Sequence, residues 1–190
     1  TWVWLTVVGA CTGLLLSLAP LFVLGPTVAE REYGDTGYYG AVMTAFGTGA
    51  VIGALTGLRW RPRFPLRVAH LAIVPWPLIG VLLGLGAPLA AVLVLAVVGG
   101  WGIALFNVWW HTAMAERIPP GSLSRVSAFD WMGSLALLPV GYGLSGPAAD
   151  LLGTEEVLVG GGLLASAISL AELLSPAVRN LARLPEPPLA

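Results

Sequence analysis

The fold is decided by residues 37–67, which read GYYGAVMTAFGTGAVIGALTGLRWRPRFPLR. Residues 37–58 are mostly apolar and carry no charge, and four arginines then follow at positions 59, 61, 63 and 67. An α-helix needs about 20 residues to cross the hydrocarbon core of a bilayer. Short loops rich in arginine remain on the cytoplasmic side. The stretch therefore predicts a transmembrane helix that ends at the cytoplasmic surface.

Five other apolar stretches of similar length surround this one. Together they predict six spans, at about 2–25, 37–58, 68–85, 89–113, 126–146 and 157–175. The predicted fold is an all-α membrane protein. Its six-helix bundle covers residues 1–176, and residues 177–190 form a cytoplasmic tail.

The arginines also predict the orientation of the bundle. Eight of the nine basic residues fall in every second gap between the spans, and none of the nine is a lysine. The eight are Arg59, Arg61, Arg63, Arg67, Arg117, Arg125, Arg179 and Arg183. The other gaps hold Arg31 together with Glu30, Glu32, Asp35, Asp150, Glu155 and Glu156. This asymmetry predicts a multi-pass protein of the plasma (inner) membrane with both termini in the cytoplasm.

The bulk composition excludes several classes of protein. The chain is 57% hydrophobic and 10% charged, with a mean hydropathy of +0.86, whereas soluble domains are about 25% charged. Nucleic acid is not an expected partner of the chain. Cys11 is the single cysteine, which excludes an intrachain disulfide. The first apolar run is longer than the core of a signal peptide, and the missing initiating Met suggests a segment of a longer chain.

Small residues recur on one face of two predicted spans. The second span carries Ala45, Gly49, Gly53 and Gly57, and the fifth carries Gly141, Ser145 and Ala149. Such stripes allow membrane helices to approach closely. Their occurrence in the second and fifth spans also fits two three-helix units of opposite topology, a 3+3 inverted repeat. Close packing without a repeat is the alternative explanation.

Asp130 is the principal ionisable candidate within a span. Ser127 and Ser134 share its helical face at i−3 and i+4. An ionisable residue inside a span is a functional candidate by default, so the three residues are predicted to take part in proton coupling or gating. The alternative is structural: Asp130, about one turn into its helix, pairs with Arg125 or Arg117 at the membrane surface.

The fourth span supplies candidates for a substrate cavity. Asn107 and His111 stand one turn apart, and His111 could change its charge near neutral pH. Trp101 lies near mid-membrane, where interfacial tryptophans are not expected, and is a candidate for a hydrophobic wall. The alternatives are an interfacial anchor for His111 and a lipid-facing position for Trp101. Glu172 and His70, each near a helix end, are predicted to be interfacial.

Enzyme functions find little support. The sequence Gly143-Leu144-Ser145-Gly146 is similar to the serine motif of the intramembrane rhomboid proteases, but no histidine follows Ser145 to act as its base. No Cys, His, Asp or Glu cluster has metal-ligand spacing. The glycines at positions 160–162 lack the Lys that a phosphate-binding loop requires. The sequence predicts neither an enzyme nor a cofactor.

Two segments carry a resemblance to a known family. Residues 116–130 read ERIPPGSLSRVSAFD, and residues 138–150 read LPVGYGLSGPAAD. Together they resemble the C-terminal half of major facilitator superfamily exporters, especially the macrolide-efflux and enterobactin-exporter-like branch. The resemblance implies that the chain corresponds to helices seven to twelve of a twelve-helix transporter. It also implies an N-terminal six-helix half as partner, on the same or a separate chain.

The family's cytoplasmic loop motif has a counterpart after the second span. Residues 53–63 read GALTGLRWRPR, so Gly57, Arg59, Arg61 and Arg63 match its glycines and arginines, but its acidic residue is absent. Arg117 and Arg125 bracket the next cytoplasmic segment. The absence of the acid argues against a charge lock between the two halves through this loop.

Two hypotheses of function follow from the sequence. The first is efflux of a small, fairly hydrophobic molecule by rocking alternating access, with protons as a candidate coupling ion. The scarcity of polar residues at mid-depth supports the hydrophobic substrate, since a polar one would need matched hydrogen bonds. The second hypothesis is a non-transporting membrane scaffold or accessory subunit that uses the same packing stripes without a cavity.

Overall fold

Six long helices form the protein in a computed structural model, which describes residues 2–183. Each helix is long and apolar enough to cross a membrane, which confirms the predicted all-α, six-span class. The helices are α1 (Trp2–Tyr33), α2 (Gly37–Arg59), α3 (Pro65–Gly84), α4 (Leu89–Arg117), α5 (Pro120–Leu152) and α6 (Thr154–Leu174). A short helix, α7 (Pro176–Arg179), follows them.

The observed helices extend beyond several predicted spans. Helix α5 begins at Pro120, six residues before its predicted start, because proline at the first helical position already has the backbone angle of a helix. Helix α1 continues to Tyr33 and ends at Gly34, whose φ of 85° favours glycine. Hydrophobicity marks the part of a helix inside the hydrocarbon, whereas the helical backbone continues into polar sequence.

Three of the helices are interrupted at prolines. Helix α1 widens into a π-helical turn at Leu14–Leu18, just before Pro20. Helix α3 is interrupted by a turn over residues 74–77, which contains Pro75 and Pro77, and α5 is interrupted at residues 136–137, before Pro139. A proline removes one backbone donor and its ring crowds the preceding turn, so each interruption has a local cause.

Helices α2 and α4 pack in parallel along their whole length through the predicted glycine stripe. A Cβ atom placed on Gly49 would lie 1.9 Å from the carbonyl oxygen of Val97, and one on Gly53 would lie 2.3 Å from that of Trp101. The two backbones therefore touch at distances that no larger residue permits. The prediction of close approach through the stripe on the second span is confirmed.

Helix α3 is the most buried of the six spans. The first half of α3 packs on α4 and its second half on α6, while α1 packs on α5, α6 and α2. One apolar cluster contains Leu66, Leu105 and Met114, and a second contains Leu21 and Leu83. Helix α5 is the least buried of the six spans.

Contacts at the arginine-rich end connect two loops to the C-terminal segment. The backbone N–H of Arg183 donates to the Arg63 carbonyl at 3.0 Å, and the Arg183 side chain lies 3.7 Å from Glu116. Val178 of α7 is fully buried. The first part of the predicted tail, up to residue 183, thus packs on the bundle, and residues 184–190 lie outside the described residues.

Candidate binding cavity

A cavity of about 350 Å³ lies inside the bundle, and side chains from all six long helices line it. This volume is in the range of small-molecule sites in proteins, about 300–1,000 Å³. Its polar lining consists of Thr6, His70, Asn107, Trp110, His111, Asp130, Ser134, Ser169 and Glu172. Its apolar lining includes the aromatic residues Phe22, Phe46, Trp76 and Phe106.

The two kinds of lining are unevenly distributed along the bundle. Thr6 and His70 lie near the first residues of α1 and α3, and Glu172 lies near the last residues of α6. These positions lie at the end of the bundle that holds the arginine-rich loops, which we call the arginine-rich end. Phe46 and Trp76 lie deeper, with ring centres 4.7 Å apart. The cavity is therefore polar towards the arginine-rich end and aromatic towards the middle.

His70 and Glu172 form a buried pair. The His70 side chain is 1% exposed and that of Glu172 is 11% exposed, and Nε2 of the first lies 2.5 Å from Oε2 of the second. Nδ1 of His70 lies 2.7 Å from the carbonyl oxygen of Leu66. Because a carbonyl only accepts, Nδ1 carries a hydrogen and donates it.

That hydrogen bond determines what the other ring nitrogen can do. In neutral His70, Nε2 would be a bare acceptor facing a carboxylate oxygen, and two acceptors 2.5 Å apart repel. A proton on either the imidazole or the carboxyl group removes the repulsion. Nε2 has no aligned hydrogen bond among the described residues, so the pair is a close polar contact rather than a linear hydrogen bond.

Gly9 of α1 provides the space for the Glu172 carboxylate. A Cβ atom at Gly9 would lie 1.4 Å from Oε1 of Glu172. The carboxylate consequently rests on the α1 backbone on one side and faces His70 of α3 on the other. One side chain thus connects α1, α3 and α6 at the polar end of the cavity.

Asp130 is also buried, at 7% exposure, and the indole nitrogen of Trp110 donates to its Oδ2 at 3.0 Å. It lies ten residues after Pro120, about three turns into α5 rather than one. Its observed partner is Trp110, whereas the structural alternative predicted an ion pair with Arg125 or Arg117. Arg117 donates to the Ala182 carbonyl, and Arg125 donates to the Gly121 carbonyl.

The other predicted cavity and gating residues fall into two groups. Asn107, His111 and Ser134 line the cavity together with Asp130. The rings of His111 and Trp131 stack with centres 6.3 Å apart. Trp101 and Ser127 are not among the lining residues; both are partly buried.

The residues of the predicted loop motif lie at the end of the bundle, apart from the cavity. A Cβ at Gly57 would touch the side chains of Leu105 and Val108 of α4, the first at 3.2 Å and the second at 3.1 Å. The Arg63 guanidinium lies 5.4 Å from the ring centre of Phe64. Arg59 is the last residue of α2, and Arg61 and Arg63 lie in the loop between α2 and α3.

His70 and Glu172, predicted to be interfacial, do not extend their side chains to the surface of the bundle. Hydropathy placed both at helix ends, where long side chains extend to the surface. In the structure α3 begins at Pro65, so His70 lies in its second turn and faces inward. The Glu172 side chain likewise turns into the cavity. No local pattern marks the pair, because the two residues are about a hundred positions apart in the chain.

Ser145 of the protease-like motif is engaged within its own helix. Its hydroxyl donates to the Gly141 carbonyl at 2.6 Å, and its side chain is buried. Within residues 2–183, no three His, Cys, Asp or Glu side chains converge to hold a metal ion. No family model matches the chain, and no curated protein or solved structure matches it.

Proposed function

We propose that the chain is one six-helix half of a secondary transporter of the major facilitator type, and that the complete transporter exports a small, fairly hydrophobic molecule across the plasma membrane. One observation carries this proposal. Two carboxyl groups and two imidazoles line a cavity to which all six apolar helices contribute. The arginine pattern supports cytoplasmic termini.

The energetic cost of these side chains argues for a function. Ionisable residues inside a membrane are expensive and are usually found on substrate or ion pathways. A scaffold or accessory subunit needs packing surfaces, which the glycine stripe of α2 supplies, but it has no need for buried Asp130, His70 and Glu172. The cavity therefore favours transport over the scaffold hypothesis.

The pattern of helix contacts supports the proposed inverted repeat. In a 3+3 inverted repeat, α1, α2 and α3 correspond to α4, α5 and α6. The α2–α4 contact then corresponds to the α5–α1 contact. The α3–α4 contact likewise corresponds to the α6–α1 contact, and the structure contains all four contacts. The stripe residue Gly141 of α5 meets Ala19 of α1, as Gly49 of α2 meets Val97 of α4. Two units of opposite topology would produce this pairing.

Rocking alternating access requires a second half. Large apolar side chains on α5, among them Trp131, Met132 and Leu144, are exposed. Such a surface suits lipid or an N-terminal six-helix partner. The isolated chain is expected to catalyse neither uptake nor efflux, because one half cannot alternate its access. Vesicle transport by this chain alone would contradict the proposed division into halves.

The experiment is a substrate-accumulation screen with the full-length protein in cells, with and without a proton uncoupler. Accumulation should fall when the protein is expressed, and an uncoupler should abolish the difference. In proteoliposomes with an imposed pH gradient, Asp130→Asn should abolish transport without loss of folding, while Asp150→Asn, an exposed change on the same helix, should not. A full-length protein that transports nothing in either assay would favour the scaffold.

A further inference from the structure

The charges around the cavity are unbalanced. Among the described lining residues there is no arginine, and the possible cations are His70 and His111. His70 faces Glu172 at 2.5 Å and is therefore not the partner of Asp130. Asp130 is then a buried carboxylate whose observed partner is the uncharged indole of Trp110. An anion in a low-dielectric site is stabilised by a cation far more than by a neutral donor.

A second polar group in the cavity lacks a partner. Thr6 is 2% exposed, and its hydroxyl has no hydrogen bond among the described residues. Threonines in membrane helices commonly donate to the carbonyl four residues earlier. Thr12, Thr44 and Thr112 do so, at 2.8, 2.9 and 2.7 Å. Thr6 therefore has an unsatisfied donor and acceptor in the wall of the cavity.

The aromatic lining adds a third feature that favours a cation. The indole rings of Trp76, Trp110 and Trp131 and the rings of Phe46 and Phe106 all line the same space. Aromatic faces attract organic cations through the negative charge of the ring face. The same rings bury an apolar group efficiently. One end of the cavity thus suits a positive charge, and the other suits an apolar body.

We infer that the cavity binds an amphipathic organic ammonium ion. Its N–H groups are held by Asp130 and Thr6 at the arginine-rich end, and its aromatic or alicyclic body lies against Phe46 and Trp76. The inference rests on the proposed function and assigns a charge to the substrate of that same cavity. A carboxylate ligand is disfavoured, because it would bring a third anion beside Asp130 and Glu172.

The test uses two probes of nearly the same shape: 2-naphthylethylamine, a cation at neutral pH, and 2-naphthylethanol, which is uncharged. Binding of each to the full-length protein in nanodiscs is measured by isothermal titration calorimetry, with empty nanodiscs as the blank. The amine should bind more than about tenfold tighter than the alcohol, and Asp130→Asn should remove most of that preference. Because an Asn side chain retains an oxygen for the Trp110 indole, this variant keeps the observed hydrogen bond.

Two further variants complete the test. Thr6→Val, which is close in shape, should weaken binding of the amine severalfold. Asp150→Asn, at the opposite end of α5, should change neither affinity. Equal binding of the two probes, or an undiminished preference in a folded Asp130→Asn variant, would overturn the inference.

The inference and the proposed function can fail separately. Transport of neutral compounds that is independent of Asp130 would leave the proposed function standing and overturn the cation site. Tight, Asp130-dependent binding of the amine by a protein that transports nothing would support the site and contradict the transporter.

Discussion

Glu172 and His70 lie 2.5 Å apart inside the bundle, whereas Glu155, near the other end of the same helix, lies 2.5 Å from Arg31 in an exposed position. The side chains of Glu172 and His70 are 11% and 1% exposed, and those of Glu155 and Arg31 are 44% and 49% exposed. Helix α6 therefore carries two ion pairs of equal length in opposite environments. The comparison sets a buried pair beside an exposed one on the same helix.

The first prediction is that the buried pair couples more strongly than the exposed one. A double-mutant cycle with His70→Asn and Glu172→Gln should give a coupling energy of roughly 1–3 kcal/mol, because removing one partner leaves the other buried and unmatched. The cycle with Arg31→Gln and Glu155→Gln should give less than about 1 kcal/mol, because water screens both groups. Equilibrium unfolding in mixed micelles measures both cycles. Equal coupling energies would show that burial does not strengthen the pair.

The second prediction concerns the space that Gly9 leaves for Glu172. In Gly9→Ala the new methyl group would displace Oε1, and the carboxylate would rotate away from His70. The His70–Glu172 coupling energy should then fall by about 1 kcal/mol or more. The control is Gly13→Ala, one turn later on α1, where an added Cβ meets nothing within 4 Å. If Gly9→Ala leaves the coupling intact, α1 does not position the pair.

The third prediction tests the contact between α2 and α4. Gly49→Ala should lower the free energy of unfolding by roughly 1–3 kcal/mol, because its methyl group would overlap the Val97 carbonyl and force two backbones apart. Gly47→Ala, on the same helix but with open space around its Cβ, should be neutral or slightly stabilising. Thermal unfolding of the purified protein compares them. A similar loss in both variants would point to helix propensity rather than packing.

These results show which features the sequence could predict. Hydrophobicity and glycine spacing act over a few turns of one helix, so the six spans and the close contact at Gly49 followed from local patterns. The bundle interior depends on which faces meet. Asp130 could be recognised as unusual from its position in a span, but its partner Trp110 could not, because α4 and α5 approach each other only in the folded chain.

The His70–Glu172 pair shows the same limit more sharply. Each residue lies close to a helix end, where hydropathy predicts a side chain that reaches the surface. Their inward orientation depends on where α3 and α6 begin and end, and on the gap at Gly9 of a third helix. Three helices must be placed before the pair can be seen, and no local pattern contains that information.

The last prediction tests the orientation that the arginines indicate. In a Cys11→Ser background, cysteines are introduced at two exposed positions, Thr36 between α1 and α2 and Ser124 near the arginine-rich end. An impermeant maleimide applied to intact cells should label Thr36→Cys, because that loop is predicted to face outward. Ser124→Cys should react only after permeabilisation, because short arginine-rich loops stay in the cytoplasm. The opposite labelling pattern would invert the bundle and place the polar end of the cavity, with Glu172 and His70, at the outer surface.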